Sequence, residues 1–223
     1  MIITYPTDYS GFQSSENNLV YFPIPKNAHT WAEKFFAQNF SMDKVIQKTT
    51  ENSEIVLKDK INIVILRDPL LRWLSGVTQY LIDSPTIDLL DDKLFQTAIT
   101  DALCFDDHTG LQIVNLLGID TERAVFFNCD KNLEENMNTF SKFWFNKETV
   151  SVGSHQVMTE NPEKVAIYNK IKTIARNDSE LLKRIQHFYA PDYGLFNQVK
   201  SRFFDKNIPE CYNRMKEIYD KEH

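Results

Sequence analysis

A short apolar run over residues 19–22 breaks into the proline-bounded turn Pro23-Ile24-Pro25. Lys26, Asn27, Ala28, His29 and Thr30 follow, and a helical spacing then sets in at Trp31, Phe35, Phe36 and Phe40. Taken in order, this is a strand, a turn and a helix. The first turn of a helix carries N–H groups without helical acceptors and the positive end of the helix dipole. A lysine and a hydroxyl at that place make a seat for phosphate or sulfate. The Gly-x-x-x-x-Gly-Lys spacing of a Walker A loop is absent, so the turn points to a nucleotide-type anion other than ordinarily bound ATP.

A second segment constrains the fold in the same way. Residues 61–66, Ile-Asn-Ile-Val-Ile-Leu, form a β-branched run expected as a fully buried strand. Arg67 follows at its end. Asp68-Pro69 then reads as an N-cap with proline at the first helical position, and Ser75 lies two turns further on. In open α/β sheets ligands bind beyond the carboxyl ends of the strands. Lys26 and Arg67 both follow strand ends, which points to a ligand with two separated anionic groups.

The two motifs together resemble the sulfotransferases that use 3′-phosphoadenosine-5′-phosphosulfate (PAPS). Pro25-Lys26-Asn27-Ala28-His29-Thr30-Trp31 is similar to their 5′-phosphosulfate loop, commonly Pro-Lys-x-Gly-Thr-Thr-Trp. Arg67-Asp68-Pro69-x-x-Arg72-x-x-Ser75 is similar to their 3′-phosphate motif, with the same Arg-to-Ser spacing. Asp107-His108-x-x-x-Gln112 with the stretch 125–135, and then Tyr189-x-x-Asp192-x-x-Leu195-Phe196, resemble the middle and the end of the carbohydrate sulfotransferases. Ala28-His29 stand where small residues and a second hydroxyl are usual, and Val77 where tyrosine is often found.

The resemblance implies a single α/β domain over residues 1–223, with a central parallel sheet flanked by helices in the P-loop-kinase-like sulfotransferase fold. Its nucleotide-binding elements are expected at 19–40 and 61–82, and a helical C-terminal part from about 160. It further implies transfer of a sulfuryl group from PAPS to an acceptor hydroxyl on a carbohydrate or other hydroxyl compound, leaving 3′-phosphoadenosine-5′-phosphate (PAP), with no metal. Lys26 is expected to stabilise the bridging oxygen as the S–O bond breaks. The backbone N–H groups of 28–31 and the Thr30 hydroxyl would hold the 5′-phosphate and sulfonate, which makes Lys26, Asn27, Ala28, His29, Thr30 and Trp31 the cofactor-binding loop. Arg67 and Ser75 would hold the 3′-phosphate, and Ser75 would also restrain Lys26. The acceptor needs a base. His108, which follows Asp106 and Asp107, is the first choice, and His29 and His155 are its rivals. Three alternatives remain: a non-catalytic PAP- or PAPS-binding module, a phosphotransferase on a P-loop-like scaffold requiring Mg²⁺ and ATP, and a purely structural interaction protein that binds neither nucleotide.

Other side chains have blander expectations. Arg72 is expected to pair with Asp68 at i,i+4. Asp192 and Tyr193 are expected to lock the C-terminal helix onto the core. Trp31, Phe35, Phe36, Phe143, Trp144 and Phe145 are expected in the core. A formal charge of −6 argues against a general nucleic-acid binder. The odd set Cys104, Cys129 and Cys211 lacks metal or redox spacing, which fits reduced thiols in a cytoplasm-like compartment. No stretch is apolar and long enough to span a membrane, and no signal pattern opens the chain. A soluble microbial or viral protein, or a trimmed catalytic domain, is expected.

Strands are expected near 19–24, 61–66 and 124–128. Helices are expected near 30–40, 69–82, 91–104, 109–117 and 131–145, with further helix over 162–190 broken near Asn177-Asp178. Residues 41–60 read as loop with one short strand, and the last twenty as a terminal amphipathic helix or arm.

Overall fold

The computed structural model describes residues 9–14, 16–48, 60–83, 92–101, 103–116, 119, 121, 124–153, 161–204, 212–213 and 216–217. His155 and Cys211 lie outside the described residues, as does most of the expected C-terminal arm.

The β-branched run at 61–66 forms strand β4 (Ile61–Leu66), buried at every position. It lies between β2 (Leu19–Tyr21) and β5 (Ala124–Asn128) and is parallel to both. That parallel trio matches the expected sheet. Among the described residues the sheet has five strands, however, for β1 (Tyr9–Ser14) and β3 (Asp43–Lys48) extend it in the order β3-β1-β2-β4-β5. β1 runs antiparallel to β2, and β3 antiparallel to β1, so the sheet is mixed rather than wholly parallel. β3 is the short strand expected within 41–60. β2 ends at Tyr21 instead of residue 24, because Pro23 and Pro25 cannot donate to a ladder.

Helix α1 (His29–Phe40) follows β2, and α2 (Pro69–Asp83) follows β4. At the start of α2, Asp68 Oδ1 accepts from Leu71 N at 3.0 Å, the expected cap. Next come α3 (Asp92–Asp101), a 3₁₀ turn (Ile113–Leu116), and α4 (Leu133–Phe145) after β5. Of the helix expected over 109–117, the described residues 109–116 hold one 3₁₀ turn. The N–H groups of Gln112 and Ile113 donate to the distant carboxylate of Asp192 instead of serving a longer helix. The C-terminal part is α5 (Pro162–Asn177), α6 (Ser179–Phe188) and α7 (Ala190–Val199), with a π-helical turn over Lys200–Phe204. Asp178 makes the expected break: its N–H closes α5 on Ile174 O, while its side chain accepts from Glu180 N and Leu181 N to cap α6.

Among the described residues two hydrophobic clusters result. One joins the strands to α1, α4 and the end of α7, and includes Trp31, Phe35, Phe36 and Phe140. The other is purely helical and joins α2, α3, α5 and α6 through Trp73, Val77, Phe95, Ile171 and Ile185. Among the described residues, no helix is long and apolar enough to cross a membrane.

Candidate functional site: a cationic seam beyond the strand ends

The turn after β2 is tightly wound. Asn27 N donates to Ile24 O at 3.1 Å, and both Lys26 (φ 68°) and Ala28 (φ 59°) are left-handed. Non-glycine residues pay for that conformation, and such strain persists only where surrounding structure enforces it. Ala28 is also the N-cap of α1, and no side chain caps the helix. Thr30 therefore does not cap. It sits exposed in the first turn, with Oγ1 3.3 Å from His29 Nε2. Trp31 is buried against Phe35 as expected, and its Nε1 donates to Gly153 O at 2.7 Å.

Arg67, just past β4, reaches back to this turn, with Nη1 donating to Lys26 O at 2.9 Å. Its Nε is buried and has no hydrogen-bond partner. Ser75 is buried on α2. The Lys26 ammonium does not bond Ser75; Nζ donates to Gln79 Oε1, one turn further along α2, at 3.5 Å. Lys164 Nζ donates to the same oxygen at 3.1 Å. Gln79 Nε2 in turn donates to Asp83 Oδ2 at 2.6 Å. Lys164 rides in the first turn of α5, which is set by Pro162 and by Asn161 Oδ1 accepting from Glu163 N and Lys164 N.

Lys26, Arg67 and Lys164 thus converge from three segments. The effect falls on Lys26, whose pKa is lowered to about 8 by burial first, and then by the charges of Lys164 and Arg67. Burial likewise holds the His29 imidazole below its usual range, with Lys26 adding to the effect and Glu33 opposing it. Like charges gathered in a half-buried place favour a polyanion over any neutral ligand.

His108 lies in the turn ahead of the 3₁₀ helix. Its Nδ1 is 2.9 Å from Asp106 Oδ2 and 3.2 Å from Asp107 Oδ1, and its N–H donates to Asp106 Oδ1 at 3.0 Å. Both carboxylates engage the ring through Nδ1, which orients the imidazole. The turn packs on α2 at Gly76, where a Cβ would come within 2.5 Å of His108 O. Asp106 and His108 are both close enough to act electrostatically on the Lys26 and His29 side, Asp106 on Lys26 and His108 on His29.

Arg72 does not pair with Asp68. It is 0 % exposed, and its guanidinium donates to Pro25 O and Asp107 O, both at 3.0 Å, and to Gly110 O. One side chain therefore ties the Lys26 turn to the His108 turn. The expected lock at Asp192 is present: its buried carboxylate accepts from Gln112 N at 2.8 Å and Ile113 N at 2.9 Å, while burial raises its pKa. Lys164, Gln79 and the buried role of Arg72 are what sequence reasoning misses. Asn161-Pro162 marks the start of α5, but nothing local marks Lys164 as facing Lys26. No protein-family model, no curated protein and no solved structure matches this chain.

Proposed function

We propose that the chain transfers a sulfuryl group from PAPS to an acceptor hydroxyl, with a carbohydrate as acceptor by resemblance to the carbohydrate enzymes. The observation that carries this reading is the joined pair of cationic strand ends, Arg67 Nη1 on Lys26 O at 2.9 Å, beside a left-handed Ala28. Ala28 occupies the place where the sulfotransferase loop has glycine, the residue that adopts positive φ at least cost. The orphaned Nε of Arg67 is a buried donor one acceptor short, as a phosphate-binding guanidinium should be.

In this scheme Arg67 and Ser75 take the 3′-phosphate, and the α1 N-terminus takes the 5′ side with Ala28, His29, Thr30 and Trp31 around it, while the Asn27 side chain lies buried beneath them on Gln112 and Ile65. Lys26 stabilises the charge that grows on the bridging oxygen while the acceptor oxygen bonds to sulfur. His108 accepts the proton of the acceptor hydroxyl, oriented by Asp106. Lys164 adds charge on the Lys26 side.

Calorimetric titration with PAP in the absence of metal, beside ATP with Mg²⁺, tests the reading. PAP should bind and ATP with Mg²⁺ should bind far more weakly. Arg67→Ala should weaken PAP by about ten- to a hundredfold, the value of a charge-assisted bond. A folded sample that ignores PAP overturns the assignment, and preference for ATP with Mg²⁺ promotes a phosphotransferase. PAP binding with no transfer to any acceptor in a broad screen leaves the non-catalytic module.

The depressed Lys26 pKa adds a pH signature. Above pH 8 the free amine predominates, whereas a bound anion favours the ammonium and raises the pKa again. Binding near pH 8 should therefore take up protons, and affinity should fall as pH rises through 8 towards 10. Titrations in buffers of different ionisation enthalpy read this directly. Identical heats in all buffers would remove Lys26 from the pocket.

A further inference from the structure

We propose that Gln112 and Asn27 are positioning residues that set the separation of the two anion half-sites, so that the chain selects a ligand with two phosphate-type groups over ligands with one. The inference rests on the reading of a 3′,5′-bisphosphate nucleotide as donor.

Lys26 and Arg67 lie 41 residues apart in the chain, and their side chains are long and flexible. What can hold two anions at a fixed distance is the backbone beneath them. Both ends of the Gln112 amide engage the backbone of Arg67. Oε1 accepts from Arg67 N at 3.0 Å, and Nε2 donates to Arg67 O at 2.9 Å. Gln112 thereby continues, past the end of β4, the pairing that a neighbouring strand would supply. Oε1 also accepts from Asn27 Nδ2 at 2.7 Å, and the second Nδ2 hydrogen goes to Ile65 O at 2.8 Å. Asn27 is the residue between the two left-handed residues of the anion-binding turn.

So one buried amide pair joins the backbone of Arg67 to Asn27, the residue after Lys26. Asn27 is 0 % and Gln112 1 % exposed, and behind them the Asp192 carboxylate fixes Gln112 N. A polar network in a dry interior tolerates few rearrangements; in this one Asn27 Nδ2 and Gln112 Oε1 each make two bonds, and Asn27 Oδ1 is buried without a partner. Amides suit the task for a further reason: they both donate and accept, yet bring no charge into a site whose net charge must attract an anion. A network that served folding alone would have no need to converge on Arg67 and on the residue after Lys26.

The test compares PAP with adenosine 5′-phosphate and adenosine 3′-phosphate, by calorimetry, on the wild type, Gln112→Met and Asn27→Ala. Gln112→Met keeps the volume and removes every side-chain bond. Asn27→Ala cuts the strut to the turn and leaves the clamp on Arg67, so it serves if Gln112→Met does not fold. The wild type should prefer PAP over either monophosphate by about a hundredfold or more, as two sites filled by one molecule do. Each variant should lose about tenfold of that preference, while its monophosphate affinities move less than about twofold, because each half-site survives alone. An unchanged PAP-to-monophosphate ratio, or an equal loss for all three ligands, overturns the inference while the donor assignment stands. A wild type that does not bind PAP at all overturns both.

Discussion

Lys26→Ala is expected to lower sulfuryl transfer by about a thousandfold, the order seen when one preorganised donor is removed from a developing oxyanion. The melting temperature should stay where it is or rise. The two halves of this expectation have one cause. The Lys26 ammonium is half-buried and repelled by Lys164 and Arg67, and a 3.5 Å bond to Gln79 with the weaker pull of Asp83 and Asp106 does not make up for it. Such a group opposes folding, and in the proposed scheme it is kept for the transfer. Alanine at position 26 keeps the φ of 68° at no greater backbone cost than lysine. The measurement is single-turnover transfer from labelled PAPS with a melt on the same sample. A drop smaller than tenfold would end the catalytic role, and a large fall in melting temperature would make Lys26 a structural residue.

Arg72→Ala should act in the opposite sense, on stability first. The guanidinium is fully buried and serves three carbonyls, those of Pro25, Asp107 and Gly110. Truncation leaves all three without their donor and opens a cavity, for a loss of about 3–5 kcal/mol. For a chain of this length that is a fall of roughly 10 °C in melting temperature. Arg72→Lys keeps the charge but cannot reach three acceptors in a planar fork, so it should recover less than half of the loss. Chemical denaturation with thermal melting decides it. A loss below about 1 kcal/mol would mean that the Lys26 and His108 turns stand without their shared tie.

Local signals made β4 and α2 legible: a β-branched run, then Asp-Pro, then an apolar helical spacing, and Asp68 caps as its position implies. The break at Asp178 was legible for the same reason, since capping is a matter of neighbours in sequence. What escaped was decided at long range. Residues 109–117 have a helical pattern, but Asp192 takes two of their N–H groups and the Gln112 side chain is committed to Arg67. Arg72 has a partner for an i,i+4 ion pair in Asp68 and ignores it, because three carbonyls in a dry place compete better than a carboxylate near water. Lys164 looks like any solvated lysine, and only the packing of α5 on α2 brings it to Gln79. The antiparallel strand β1 escaped too, since Tyr9–Ser14 has a glycine at its centre and few apolar residues.

The division of the interior into a strand-based and a helical cluster has a dynamic consequence. Cooperative opening tends to follow such units. Lys26 and Arg67 follow strands of the first cluster, while Lys164 and Gln79 ride on helices of the second. A bisphosphate reaching both sides staples two unfolding units together, so amide exchange slows across strands and helices alike. An anion held by one side alone protects only the unit it touches, and exchange kinetics then separate a bridging occupant from a partial one without any enzymatic assay.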